Sequence, residues 1–383
     1  MVKCIKLHQA QAMNLLALVA IYSLAILWLV SNRVTLYVLT STGLCFFLLI
    51  QMQSSLRNSP VKLRISLFAM AISVSAFIVI FYYREKFNFY ATNALASAGL
   101  VYALYVIKSI HIRFFLYLII SLWCGIVFWK IDLDQTIISI GQNGITLHFL
   151  ILYVVYFFRI HFPLQDARTL LLKVENYLFA AVLFTLAVWS QGRAAAGTAL
   201  IVLCVATFIL MGEFDRKRKY WVIVVSLAIV FFNYYSPVLM GERSYSAIDR
   251  VAISGVSDVR FTLWLDYFKS LTPEGVFMGN RDSNCHNILV GYSPENCNIH
   301  SSYLRAHQAY GLSGVVMIAG VLFLCFSRLL KLKEWFAIFI CMALLARVAT
   351  DEAFFTTPYL VVVFFIYSKV MGDYSGADSR SGK

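Results

Sequence analysis

Charge is what this chain has least of. Only 13% of its 383 residues are charged, against 61% apolar. Soluble domains run at roughly 25% charged and about 45–50% apolar, so the two or three soluble domains that the length alone would suggest give way to one membrane bundle. Mean hydropathy is +0.76. The sequence also lacks the stretches of about ten alternating apolar and polar residues that mark a membrane barrel. In a bilayer every backbone N–H and C=O must be satisfied internally, which leaves helices or closed barrels, and long unbroken apolar runs select helices. No short signal peptide with a small-residue cleavage site is evident, and the first span is expected to be its own insertion signal. No internal repeat is visible, although repeats in membrane proteins can be faint.

The apolar runs predict an all-α polytopic membrane protein. Spans are expected at 13–31, 34–51, 65–82, 91–107, 113–130, 145–158, 174–191, 194–211, 220–237, 311–327, 335–350 and 358–371. That is about 12 transmembrane helices, each needing about 20 residues to cross the hydrocarbon. The sixth and twelfth runs are short, which suits a tilted, kinked or partly re-entrant helix. The expected organisation is nine helices over 1–237, a periplasmic loop with interfacial helices over 238–310, three helices over 311–371 and a disordered cytoplasmic tail over 372–383.

Basic residues set the orientation. With the N-terminus in the cytoplasm, the cytoplasmic segments hold Lys3, Lys6, Arg57, Lys62, Arg64, Lys108, Arg113, Arg159, Arg168, Lys173, Arg216 to Lys219, Arg328, Lys331, Lys333, Lys369, Arg380 and Lys383. The short external segments hold only Arg33, Arg84, Lys86, Lys130, Arg193 and Arg347. This is the positive-inside pattern, and it puts both termini in the cytoplasm. The net charge of +13 is then topogenic charge facing an anionic leaflet, and a nucleic-acid partner is not implied.

The 238–310 loop is the one long hydrophilic stretch. Within 246–271, Phe261, Trp264, Leu265 and Phe268 fall at helical spacing and form an apolar stripe suited to the headgroup region. TPEGVFMGNRD follows as a turn-rich break, and HSSYLRAHQAYGLSG leads back into the membrane as a helix. Cys4, Cys45, Cys124, Cys204, Cys325 and Cys341 fall in apolar spans or near the cytoplasmic face and act as small apolar residues. Cys285 and Cys297 stand apart in the outer loop. They are candidates for a disulfide, for two free thiols, or for a zinc site with His286 and His300, whose spacing matches no strong zinc pattern.

Charges at a membrane edge are costly and usually functional. Arg193 sits in WSQGRAAAG between spans seven and eight, Arg260 in the interfacial stretch, His300 at the start of the returning helix, and Arg347 at the outer end of span eleven with Asp351 and Glu352 nearby. Each has a plainer reading. Arg193 suits a hairpin tip reaching headgroups, Arg260 a rim contact to lipid phosphate, and Arg347 an i,i+4 ion pair with Asp351. His300 and the weaker candidate His307 suit structural roles. The topology nevertheless brings all of them to one outer face. Arginine matches phosphate oxygens with a planar fork of donors, and histidine can take a proton from a hydroxyl. Such a set suits a diphosphate substrate.

These segments resemble the O-antigen polymerase and O-antigen ligase superfamily of bacterial surface polysaccharide assembly. WSQGRAAAG (189–197) is similar to that family's Arg-bearing segment between two spans. VRFTLWLDYFKSLTPEGVFMGN (259–280) resembles its Arg-x-x-x-Trp/Tyr stretch before a Pro–Gly break. IHSSYLRAHQAYGLSG (299–314) resembles its His-Asn-x-Tyr-Leu…Gly-x-x-Gly segment, and VATDEAFFTTP (348–358) its late Asp-bearing span. The likeness covers 180–360; before that it is topological only. The sequence departs from the family at 191–193, which reads Gln-Gly-Arg, and at Ser301, where Asn is common.

The resemblance implies a glycosyltransferase with no cofactor, using a glycan on undecaprenyl diphosphate at the periplasmic face of the bacterial inner membrane; because diphosphate is already a good leaving group, arginines can take a metal ion's place, and the enzyme is expected to be metal-independent. It implies His300 as the catalytic group that orients or deprotonates the acceptor hydroxyl. Arg193 and Arg260 would bind the diphosphate, with Arg347, Asp351 and Tyr303 in support. The sole Asp-x-Asp pair noted, Asp132 and Asp134, lies in an earlier loop without family context. Polymerisation of lipid-linked repeat units is the favoured expectation, with a chain-length regulator as a partner. Transfer to lipid A–core by a ligase is the alternative. A lipid-glycan flippase or transporter is the non-enzyme alternative, which would place its charges nearer the midplane.

Overall fold

A computed structural model describes residues 112–114, 116–118, 120–121, 142–162, 169–189, 193–212, 214–239, 259–279, 301–349 and 360–372. Among them every regular element is helical and no strand occurs. The first four predicted spans, most of the fifth, the rest of the outer loop and the tail lie outside the described residues.

Helix α1 (Gln142–Tyr156) runs straight into a π-helical turn, Phe157–His161. Then come α2 (Leu170–Trp189), α3 (Arg193–Met211), α4 (Arg216–Leu239), α5 (Val259–Lys269), α6 (Pro273–Met278), α7 (Ser302–Lys331), α8 (Trp335–Val348) and α9 (Leu360–Gly372). A helix therefore occupies each of the predicted spans from the sixth to the twelfth. Among the described residues three stretches are long and apolar enough to cross a membrane: Leu170–Trp189, Ala194–Met211 and Tyr310–Lys331. Phe149–His161 and Trp335–Val348 are shorter apolar helices. This is an α-helical membrane protein.

Packing follows side-chain size. α2 and α3 form the closest pair, α3 also packs along α8, and α7 packs on α8 and α9. The buried faces at these contacts are rich in alanine: Ala180 and Ala187 on α2, Ala195, Ala199 and Ala206 on α3, Ala337 and Ala343 on α8. Hydrocarbon tails are as apolar as leucine, so helices associate in lipid through close backbone approach, which small residues permit. Large aromatic residues fill the space between α1, the π-turn and α2, where Tyr153, Tyr156, Phe157, Phe158 and Phe179 are fully buried.

The hydroxyls in these apolar helices are satisfied locally or across helices. Thr198 and Thr207 donate to carbonyls one turn back, at 2.7 Å each. Ser226 on α4 lies 3.0 Å from the Tyr177 hydroxyl of α2 and 3.1 Å from Thr207 of α3, a polar link among three helices. Phe208, Trp221, Leu227, Phe231 and Phe323 stay exposed, as expected of surfaces that meet lipid.

Candidate functional site

The 259–279 segment singled out in the sequence folds back onto the start of α7. Pro273 opens α6, where its missing N–H costs nothing. Thr272 caps the helix, its Oγ1 accepting from the Gly275 N–H at 3.0 Å. The expected turn-rich break is thus a short helix, because a capping threonine and an N1 proline together outweigh the turn propensity of PEG.

His307 ties the segments together. The Tyr267 hydroxyl of α5 lies 2.5 Å from its Nδ1, and its Nε2 lies 2.8 Å from the Val276 carbonyl of α6. A carbonyl only accepts, so the ring carries its proton on Nε2 and Nδ1 accepts from the tyrosine. The two rings meet edge to face, with centroids 5.9 Å apart at 86°. Below this bridge two glycines let backbones touch. Gly279 has φ 86°, and a Cβ there would come within 2.8 Å of the Gln308 carbonyl oxygen. Gly311 has φ 62°, and a Cβ there would lie 3.0 Å from the Met278 carbonyl carbon. Gly311 also kinks α7.

Tyr303, in the first turn of α7, donates its hydroxyl to the Leu345 carbonyl of α8 at 3.0 Å. Burial raises its ionisation above the ordinary tyrosine range, so the hydroxyl remains a donor. Arg347 follows two residues later, buried in the last turn of α8, where a cation is favoured by the helix dipole. Arg305 donates to Gln308 at 3.0 Å within α7.

Of the sequence-predicted site residues, Tyr303 reaches the last turns of α8, the helix that carries Arg347. Arg193 is the first residue of α3, which packs along the helix carrying Arg347, and Arg260 is the second residue of α5, which His307 joins to α7. His300, Asp351, Cys285 and Cys297 lie outside the described residues. Among the described residues no three His, Cys, Asp or Glu side chains gather as metal ligands would. Cys204, Cys325 and Cys341 are free thiols.

Two features escaped the sequence reading. Among the residues of α5 whose burial is described, Tyr267 is the buried one, while Leu265 and Phe268 of the expected interfacial stripe are exposed. The second is a buried polar cluster between α1, α2 and residues 112–121. Arg113 donates from Nε and Nη2, on one edge of its guanidinium, to the two carboxylate oxygens of Glu175, at 2.7 and 2.5 Å. Beside it the Tyr153 hydroxyl donates to Asn176 at 2.9 Å, and His161 meets the Tyr156 hydroxyl at 3.2 Å. The signal was present, since Glu175 and Asn176 are polar residues within the predicted seventh span. Arg113, counted only as a topogenic charge, is also a structural partner.

No protein-family model, no curated protein and no solved structure matches this chain.

Proposed function

We propose that this protein polymerises undecaprenyl-diphosphate-linked oligosaccharide repeat units into a surface polysaccharide, at the periplasmic face of the inner membrane with both termini in the cytoplasm. The observation that carries the reading is the union of two separated segments. Residues 259–279 and 301–314 resemble consecutive motifs of one glycosyltransferase superfamily, and His307, Gly279 and Gly311 join them into a single corner. A charged site supported by such a corner, at one end of a span, suits surface chemistry better than transport through a midplane pathway.

In this reading an acceptor hydroxyl attacks the anomeric carbon of the donor glycan, and undecaprenyl diphosphate departs. Arg193 and Arg260 hold the diphosphate and stabilise charge on the departing oxygen, as preorganised donors do. His300 receives or directs the acceptor proton. Tyr303 and Arg347 support the arrangement from α7 and α8.

The test is a gel profile of surface polysaccharide from a deletion strain complemented with wild type or with His300→Ala. The expected deletion phenotype is lipid A–core bearing single repeat units, with the ladder restored by wild type and reduced by about 10²–10⁴ in rate by His300→Ala, the usual worth of a general base. Polymer accumulating on undecaprenyl diphosphate beside bare core would instead identify a ligase. A full ladder from His300→Ala at normal protein level would remove His300 from the chemistry.

A further inference from the structure

The α5–α6 corner has two unlike sides. Its inner side is buried against α7 through Tyr267, Gly275 and Gly279. Its outer side exposes Leu265, Phe268, Val276 and Phe277, the last at 65%. The level of this apolar edge is fixed by what the corner touches. Val276 to Gly279 lie against His307 to Gly311, and the apolar stretch of α7 begins at Tyr310 and runs 22 residues to Lys331. At about 1.5 Å per residue that stretch covers roughly 33 Å, close to the ~30 Å hydrocarbon thickness. The docking notch is therefore level with the start of the apolar stretch, one hydrocarbon thickness from its far end.

We propose that the α5–α6 corner is a wedge seated in the phospholipid leaflet at the N-terminal end of the α7 span, with Phe268 and Phe277 among acyl chains and Lys269 and Glu274 toward the headgroups and water. The partner is bulk phospholipid. An amphipathic segment of this kind buries its apolar face about 5–10 Å into the boundary between headgroups and acyl chains. Here the His307 bridge holds a two-helix corner at that depth, instead of leaving a lone helix to partition. The inference rests on the membrane character of the chain and not on the polymerase reading.

The test uses purified full-length protein in phosphatidylcholine vesicles, with or without acyl-chain-brominated phosphatidylcholine. Phe277→Trp and, on the polar side, Glu274→Trp each add one fluorophore, read as the difference from wild type. The expected result is loss of most of the added fluorescence for Phe277→Trp and little loss for Glu274→Trp. Phe268→Trp gives the same readout should Phe277→Trp fail to fold. Equal, weak quenching at 274 and at the substituted apolar position would overturn the proposal. So would an unquenched apolar position accompanied by cross-linked dimers, which would make the edge a contact between two copies. Loss of polymerase activity is not read in this experiment, so failure of the functional assignment leaves its outcome unchanged.

Discussion

The Arg113–Glu175 pair shows how unequal the two halves of one interaction can be. Glu175 is 4% exposed and Arg113 31% exposed. Removing the arginine strands a buried carboxylate, whereas removing the glutamate leaves a guanidinium that can bend toward water. Breaking a buried ion pair typically costs about 3–5 kcal/mol. Arg113→Ala should fall in that range and Glu175→Ala below it, measured as thermal unfolding in detergent. Arg113→Glu combined with Glu175→Arg should recover part of the loss. Small, equal losses for the two single variants would mean that the pair is solvated on both sides. This pair was only half legible in the sequence. A carboxylate within an apolar run signals a buried partner, but a partner 62 residues away is chosen by tertiary packing. Tyr267 was hidden for a similar reason. Nothing local distinguishes a tyrosine among aromatics until a distant histidine accepts its hydrogen bond.

At the scale of the elements, helices were the most legible feature, because apolar runs of this length have few other solutions in a bilayer. Their ends were less so. Helix α7 begins well before its apolar stretch and passes through a glycine with positive φ, so one helix serves as both loop and span. Helix α6 was read as a break because its residues favour turns, and the Thr272 cap decided otherwise. Glycine was legible only as a pattern, and its physical role needs the facing backbone. Gly311→Ala should therefore destabilise by more than about 1 kcal/mol, since an alanine in left-handed backbone costs roughly 1–2 kcal/mol and its methyl would press on the Phe277–Met278 backbone. Gly320→Ala, in the same helix with nothing within 4 Å of an added methyl, should stabilise by about 0.5–1 kcal/mol. Hydrogen exchange at 273–279 should accelerate in the first variant and stay unchanged in the second.

For the whole molecule, alternation of basic turns predicts the side on which each connection lies. The connections at 212–215 and 332–334 lie beside basic residues, and the connection after Trp189 has only Arg193 nearby. Alkaline phosphatase fused after residue 214 or 332 should be inactive, and fused after residue 189 active, because the enzyme matures only outside the cytoplasm. Activity at 214 and 332 would invert the molecule and move the corner to the cytoplasmic face. The membrane class and the helices over 142–372 were legible because composition and run length express the solvent directly. The candidate site was legible only as four fragments, since side chains that meet across helices leave no periodic trace. The notch that receives α6 belongs to α7, which leaves the ribosome later, so the corner cannot settle when it is first made. It must wait for a downstream segment to thread into the bilayer, and a quality-control protease would meet 273–279 open on any chain in which that threading stalls.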